Sequence, residues 1–199
     1  MMPNQKGDDK QKKRFLDSVI RSLEKFLSRH PWWARRYAGF FEKMTVDEFS
    51  IVSLPAESRV LTIGCGSFPH TMFTLARVRG WKLVGIDHDR DAVKKAQQMI
   101  AAHHLGDKIE VCFGEALEAD ISDFDLVFVA HGVEPKLGIL TELERRMKPG
   151  TMIVYRTIWD GLERVYGHEP IPETLRVKDA FFRSDGIKTL LLVRNENPK

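Results

Sequence analysis

Apolar positions near the start of the chain recur at helical steps. Phe15, Leu16, Val19, Ile20, Leu23, Phe26 and Leu27 share one face, with Arg21, Ser22, Lys25 and Ser28 opposite. This predicts an amphipathic helix stopped at His30-Pro31, because the residue before a proline is pushed out of helical geometry. An aromatic-dense stretch follows, Trp32, Trp33, Tyr37, Phe40, Phe41 and Met44. It reads as an N-terminal helical cap packed on a main domain, or as the wall of a substrate pocket. Thr45-Val46-Asp47-Glu48 has the form of a capping box, which predicts a new helix running to about Val52 and ended by Leu54-Pro55.

From residue 58 the pattern changes to short apolar runs alternating with helical periods. Strands are predicted at Arg59 to Ile63, Lys82 to Ile86, Ile109 to Phe113, Asp125 to Val129 and Thr151 to Tyr155. Helices are predicted at about Thr71 to Arg79, Arg90 to His104 and Lys136 to Met147. Alternation of this kind specifies a parallel sheet with right-handed crossovers. Ala180 to Arg183 and Lys188 to Arg194, separated by Ser184-Asp185-Gly186, read as a closing hairpin. The expected fold class is therefore α/β, a mostly parallel seven-stranded sheet with an antiparallel C-terminal edge hairpin and a small N-terminal helical cap. Three regions are expected: a mobile basic leader over 1–14, the helical cap over 15–57, and a ligand-binding sheet domain over 58–199.

Composition narrows the class. The chain has 199 residues, 43% hydrophobic and 30% charged, as ordinary globular proteins do. No apolar run approaches the roughly 18 residues of a membrane span, and the first residues lack an apolar signal segment, so a cytoplasmic protein with no membrane partner is expected. The net charge of +3 conceals an asymmetry: residues 1–44 hold 11 Lys/Arg against 5 Asp/Glu, and the remainder 20 against 23. A solvated basic leader is the commoner meaning, and a nucleic-acid partner is not expected. Cys65 and Cys112 read as small buried hydrophobes, and no metal site is expected.

The chemistry concentrates behind the first strand. Gly64-Cys65-Gly66-Ser67-Phe68-Pro69-His70-Thr71 links that strand to a helix, where glycines allow tight turning and the helix start offers free amides. The second strand ends in Asp87, 21 residues after Gly66, a place from which a carboxylate can accept both hydroxyls of a ribose. Read more plainly, the glycines make a simple strand-to-helix turn and Asp87 caps the next helix. A Walker loop would need Gly-Lys-Ser/Thr where Pro-His-Thr stands, and a dinucleotide fingerprint would want a small residue at Pro69.

Val-Leu-Thr-Ile-Gly-Cys-Gly, Val-Gly-Ile-Asp87, Gly114-Glu115-Ala116, Phe124-Asp125-Leu-Val-Phe-Val-Ala130 and Met147-Lys-Pro-Gly150 resemble, in order, the motifs of class I S-adenosylmethionine-dependent methyltransferases, whose Rossmann-like fold is thereby expected over about residues 58–194. The resemblance implies S-adenosylmethionine as cofactor. It also implies that Gly64, Cys65, Gly66 and Ser67 lie along its methionine part, Asp87 and His88 at the ribose, Gly114, Glu115 and Ala116 at the adenine, and Ala130 near the sulfonium. Thr62 stands where many members have an acid. A narrower resemblance, to nicotianamine synthases, rests on Gly-Cys-Gly-Ser-Phe-Pro69-His-Thr71, Glu134-Pro135-Lys136, and Tyr155-Arg156-Thr157 followed by Gly161 and Tyr166. Phe41-x-x-Met44-x-x-x-Glu48-Phe49 resembles the segment that carries the substrate-site glutamate of that family, with Phe41 in place of the usual tyrosine.

The favoured function is that of an S-adenosylmethionine-dependent methyltransferase acting on a small molecule. The alternative is nicotianamine synthase-like transfer of the aminocarboxypropyl arm to an amine, and a third reading is an RNA-associated nucleoside-binding module. The acceptor is expected to bear an amine or a carboxylate. His131, at the end of strand four, is the first candidate on the acceptor side, since an imidazole can take a proton near neutral pH, or it simply binds a loop. Glu48 is a candidate base or only a capping residue. Tyr155 and Arg156, ending strand five, are candidates for holding a carboxylate.

Overall fold

The computed structural model describes residues 31–159 and 170–195. The expected leader, the helix from Phe15, Gly161 and Tyr166 lie outside these residues. Helix α1 (Pro31–Glu48) runs straight into a 3-10 turn, Phe49–Ile51. Then follow β1 (Arg59–Ile63), α2 (His70–Val78), β2 (Lys82–Asp87), α3 (Arg90–Ala102), β3 (Ile109–Phe113), β4 (Leu126–Val129), α4 (Lys136–Arg146), β5 (Met152–Ile158), β6 (Leu175–Phe182) and β7 (Ile187–Arg194).

The strands form one seven-stranded sheet in the order β3-β2-β1-β4-β5-β7-β6. The first five pair in parallel, and β7 enters antiparallel between β5 and β6. Apolar side chains fill both faces. Val60, Leu83, Phe128 and Val154 face α2, α3 and the 3-10 turn, and Leu61, Ile63, Val127 and Ile153 face α4. Burial on both faces is why the parallel strands read as continuous apolar runs rather than alternating ones. Phe49 is fully buried, edge-on to Trp81 and Phe128, and pins the end of α1 to the sheet.

Four expectations need correction. The capping box at Thr45 does not exist: α1 continues through Thr45 to Glu48. Phe41, Met44 and Glu48 recur at three- and four-residue steps, so one face stays turned to the sheet domain and nothing breaks the helix. Strand β5 reaches Ile158 instead of stopping at Tyr155, because its antiparallel partner supplies Thr189, Lys188 and Ile187 opposite residues 156–158. Strand β6 begins at Leu175, ahead of the expected Ala180, as an exposed edge with a bulge between Val177 and Asp179. Of the cysteines, Cys65 is buried and Cys112 is exposed on the edge strand β3, which corrects the expectation of two buried thiols. Among the described residues no helix is long and apolar enough to cross a membrane.

Candidate active site

Strand order reverses between β1 and β4, and open α/β sheets bind ligands at the carboxyl ends of the strands flanking such a point. A cleft of about 230 Å³ lies there, lined by residues following β1 to β4 that include Gly64, Asp87, Gly114, Ala130 and Val133.

The loop after β1 is held by its own backbone. Gly64 N–H and Cys65 N–H donate to Ile86 O at 2.9 and 3.2 Å, tying the loop to β2. Gly64 and Gly66 take φ of +78° and +67°, a region costly for residues with a Cβ. A Cβ on Gly64 would overlap Val133 Cγ2, so only glycine lets the loop after β4 close over the one after β1.

Asp87 is 91% shielded from solvent, and both its oxygens are engaged: Gly66 N–H donates to Oδ2 at 2.8 Å and Asp89 N–H to Oδ1 at 3.0 Å. Each carboxylate oxygen carries two lone pairs, so one acceptor position on each is left over. Gly114 N–H donates to Asp87 O at 3.1 Å, which brings the loop after β3 to the same point. His88 is exposed, with Nδ1 3.7 Å from Asp87 Oδ1. The plainer reading, in which Asp87 caps the next helix, does not hold: the cap of α3 is Asp89, whose carboxylate accepts from Asp91 N–H and Ala92 N–H.

Seven of the ten residues expected at the cofactor line the cleft: Gly64, Asp87, His88, Gly114, Glu115, Ala116 and Ala130. Cys65, Gly66 and Ser67 do not, although Gly66 is tied to Asp87. Burial, then the Asp87 charge, pushes the Cys65 thiol up to about 12, so it is no thiolate near neutral pH. Val133 and Glu134 line the cleft without having been expected, and the legible signal for them was Gly132 followed by Glu134-Pro135.

The acceptor-side candidates separate. His131 is half-buried between two cleft-lining residues, Ala130 and Gly132. Tyr155 and Arg156 alternate along β5 and so face opposite sides of the sheet. Tyr155 is fully buried against α4, its ring 5.9 Å from Lys136 Nζ. Arg156 lies on the α1 side with Glu48, which is also fully buried. Glu48 Oε1 accepts from Arg156 Nε and Thr189 Oγ1, each at 2.6 Å, and Oε2 accepts from Arg156 Nη2 at 2.6 Å and Arg183 Nη1 at 2.9 Å. Asp185 holds the other edge of Arg183. Burial alone would raise the Glu48 carboxyl, but Arg156 and Arg183 outweigh it and hold it below the usual carboxylate range.

His70, in the first turn of α2, was missed as a candidate. Its ring meets Phe41 at 5.5 Å and Phe68 at 5.9 Å. Burial, aided by Arg156, pushes it down to about 4, so it is a neutral imidazole at ordinary pH.

The family model for nicotianamine synthase protein matches residues 16–180. This chain belongs to the nicotianamine synthase family. Among curated proteins it is similar to L-histidine 2-aminobutanoyltransferase of Pseudomonas aeruginosa, 24% identical over 151 residues, which cover 72% of this chain and 57% of that protein. It is also similar to demethylmenaquinone methyltransferase of Lactiplantibacillus plantarum, 28% identical over 109 residues, 52% of this chain and 46% of the relative. The chain thus spans about half the length of the curated relatives it matches. Among solved structures, a mutant of MtNAS in complex with S-adenosylmethionine superposes with a TM-score of 0.70 at 19% identity, covering 88% of this chain and 71% of that one. An RNA methyltransferase of Salinibacter ruber in complex with S-adenosyl-L-homocysteine superposes with a TM-score of 0.63 at 20% identity, covering 79% and 94%. These superpositions establish the Rossmann-like methyltransferase fold for this nicotianamine synthase family member.

Proposed function

We infer that this protein is an S-adenosylmethionine-dependent transferase acting on a small molecule that carries an amine or a carboxylate. The observation that carries the reading is Asp87, braced at the switch point with one acceptor position left on each oxygen. Those two positions match the adjacent hydroxyls of a ribose. Gly64 would lie along the methionine part, Gly114 to Ala116 along the adenine, and Ala130 nearest the reacting centre. When bound, S-adenosylmethionine supplies a sulfonium that makes each attached carbon electrophilic. What this chain contributes is alignment: a glycine loop tied to β2, a buried carboxylate, and a buried charge cluster beside α2.

Membership of the nicotianamine synthase family, and the likeness to an aminobutanoyltransferase, favour transfer of the aminocarboxypropyl arm to an amine. Methyl transfer is the second reading, favoured by the methyltransferases among the relatives. The by-product decides between them. Incubation with S-adenosylmethionine and a panel of amino acids and amines is expected to release methylthioadenosine. S-adenosylhomocysteine would mean methyl transfer instead, and failure to bind either nucleoside would overturn the transferase reading.

A further inference from the structure

We propose that Arg156, set in place by Glu48, is the anchor for a carboxylate at the reacting end of the site, and that Glu48 is a positioning residue with no part in proton transfer. The inference rests on the transferase reading and names a recognition group within it.

A guanidinium has five N–H donors. In Arg156 the Nε–H and one Nη2–H go to the two oxygens of Glu48, and Nη2 also donates to Thr71 Oγ1 at 3.3 Å. No described residue takes the two N–H groups of Nη1. The side chain retains 10% of its exposure, against 0% for Glu48, so the arginine is the member of the pair open to an incoming group, although it stands outside the lining of the cleft. Its position suits a ligand that spans cofactor and acceptor. It lies 4.6 Å over the Phe128 ring, two residues before cleft-lining Ala130, and it touches the first turn of the helix that follows the glycine loop.

Glu48 is poorly built for proton transfer and well built for holding an arginine. Both oxygens already accept two hydrogen bonds each, three from guanidinium groups and one from Thr189, so no lone pair points at a substrate. The two carboxylates and two guanidinium groups of the cluster balance formally, and His70 beside them is neutral, so an incoming carboxylate meets free donors without an uncompensated anion in the way. A planar fork fixed along one edge and open at its end suits a carboxylate better than a flexible ammonium would.

A carboxylate can come from the amino-acid end of the cofactor or from the acceptor, and two nucleosides separate these sources. S-adenosylhomocysteine carries the amino-acid end and methylthioadenosine lacks it. For R156Q, measured by calorimetry, S-adenosylhomocysteine affinity is expected to fall about ten- to hundredfold with methylthioadenosine unchanged, if the cofactor supplies the group. If the acceptor supplies it, both nucleosides bind as in the wild type, and KM for a carboxylate-bearing acceptor rises by a similar factor. R156K keeps the charge and loses the fork, and is expected to recover only part of the loss. Should R156Q fail to fold because Glu48 is left unpaired, the double variant E48Q/R156Q carries the same expectation. For Glu48, E48Q should move KM or nucleoside affinity and leave the ascending limb of the kcat pH profile in place. Unchanged nucleoside affinities together with unchanged acceptor KM in R156Q would overturn the anchor. Loss of that pH limb in E48Q would overturn the positioning role. Failure of the wild type to bind either nucleoside would remove the transferase reading and this inference together.

Discussion

Replacing Asp87 with Asn is nearly isosteric and removes the charge, so its effect can be worked from the contacts. Two backbone N–H groups, Gly66 at 2.8 Å and Asp89 at 3.0 Å, converge on opposite oxygens. An amide has one oxygen, and whichever way it turns its NH2 group meets one of those donors head-on. One charge-assisted hydrogen bond of about 1.5–3 kcal/mol is lost, and the orphaned N–H adds to the cost. The expected destabilisation is about 3 kcal/mol, or roughly 6–12 °C in Tm for a chain of this size. Binding suffers separately. Two hydroxyl donors on the remaining acceptor positions, at about 1.5 kcal/mol each, would lower S-adenosylhomocysteine affinity on the order of a hundredfold. Calorimetric titration well below both melting transitions, with Tm measured in parallel, separates the two effects. A D87N protein with reduced Tm and S-adenosylhomocysteine affinity within twofold of wild type would refute the ribose role, leaving Asp87 as a loop brace alone.

Gly64→Ala is expected to destabilise by about 2–4 kcal/mol in urea unfolding, since it adds positive-φ strain to the overlap with Val133. Gly66→Ala, where a Cβ meets open space, should cost only about 1–2 kcal/mol, and V133A should recover the overlap part of the G64A loss, leaving its positive-φ strain, and none of the G66A loss. His70, lowered to about 4 against 6.5 in the unfolded chain, resists protonation when folded, so stability falls as pH drops from 6.5 towards 4. The loss is on the order of 3 kcal/mol, and urea midpoints for H70N should lack that part of the decline. Phe49→Ala removes a fully buried ring between Trp81 and Phe128 and should cost about 3–5 kcal/mol by denaturant unfolding.

The parallel half of the sheet was legible because its signals are contiguous. Leu126–Val129 is buried at every position and reads as one apolar run, and the glycine loop, its helix and Asp87 follow one another within about 25 residues. Glu48 was not legible in this way. Thr45-Val46-Asp47-Glu48 carries the local signature of a capping box, whereas the groups that claim the carboxylate, Arg156, Arg183 and Thr189, stand 108, 135 and 141 residues away. Long-range charge pairing overrode a local rule. The overlap that makes Gly64 necessary depends likewise on Val133, 69 positions on, and no local spacing marks it. The first half of strand β6 leaves no apolar alternation in the sequence, because Arg176, Val177, Lys178 and Asp179 are all exposed at a sheet edge, where there is no face to bury.

The same separations carry a consequence for the order in which the molecule becomes competent. Every residue lining the nucleoside-side cleft lies between Ile63 and Glu134, so a growing chain can assemble that half of the site before its last quarter is made. The Glu48 cluster needs Arg183 and Thr189, and Arg156 pairs with Thr189 of β7 alone, since β4 ends opposite Tyr155. Contacts of such span form late, because loop closure precedes their reward. The Glu48 cluster is therefore completed only by the last strand, whereas the groups gathered around Asp87 draw nothing from it.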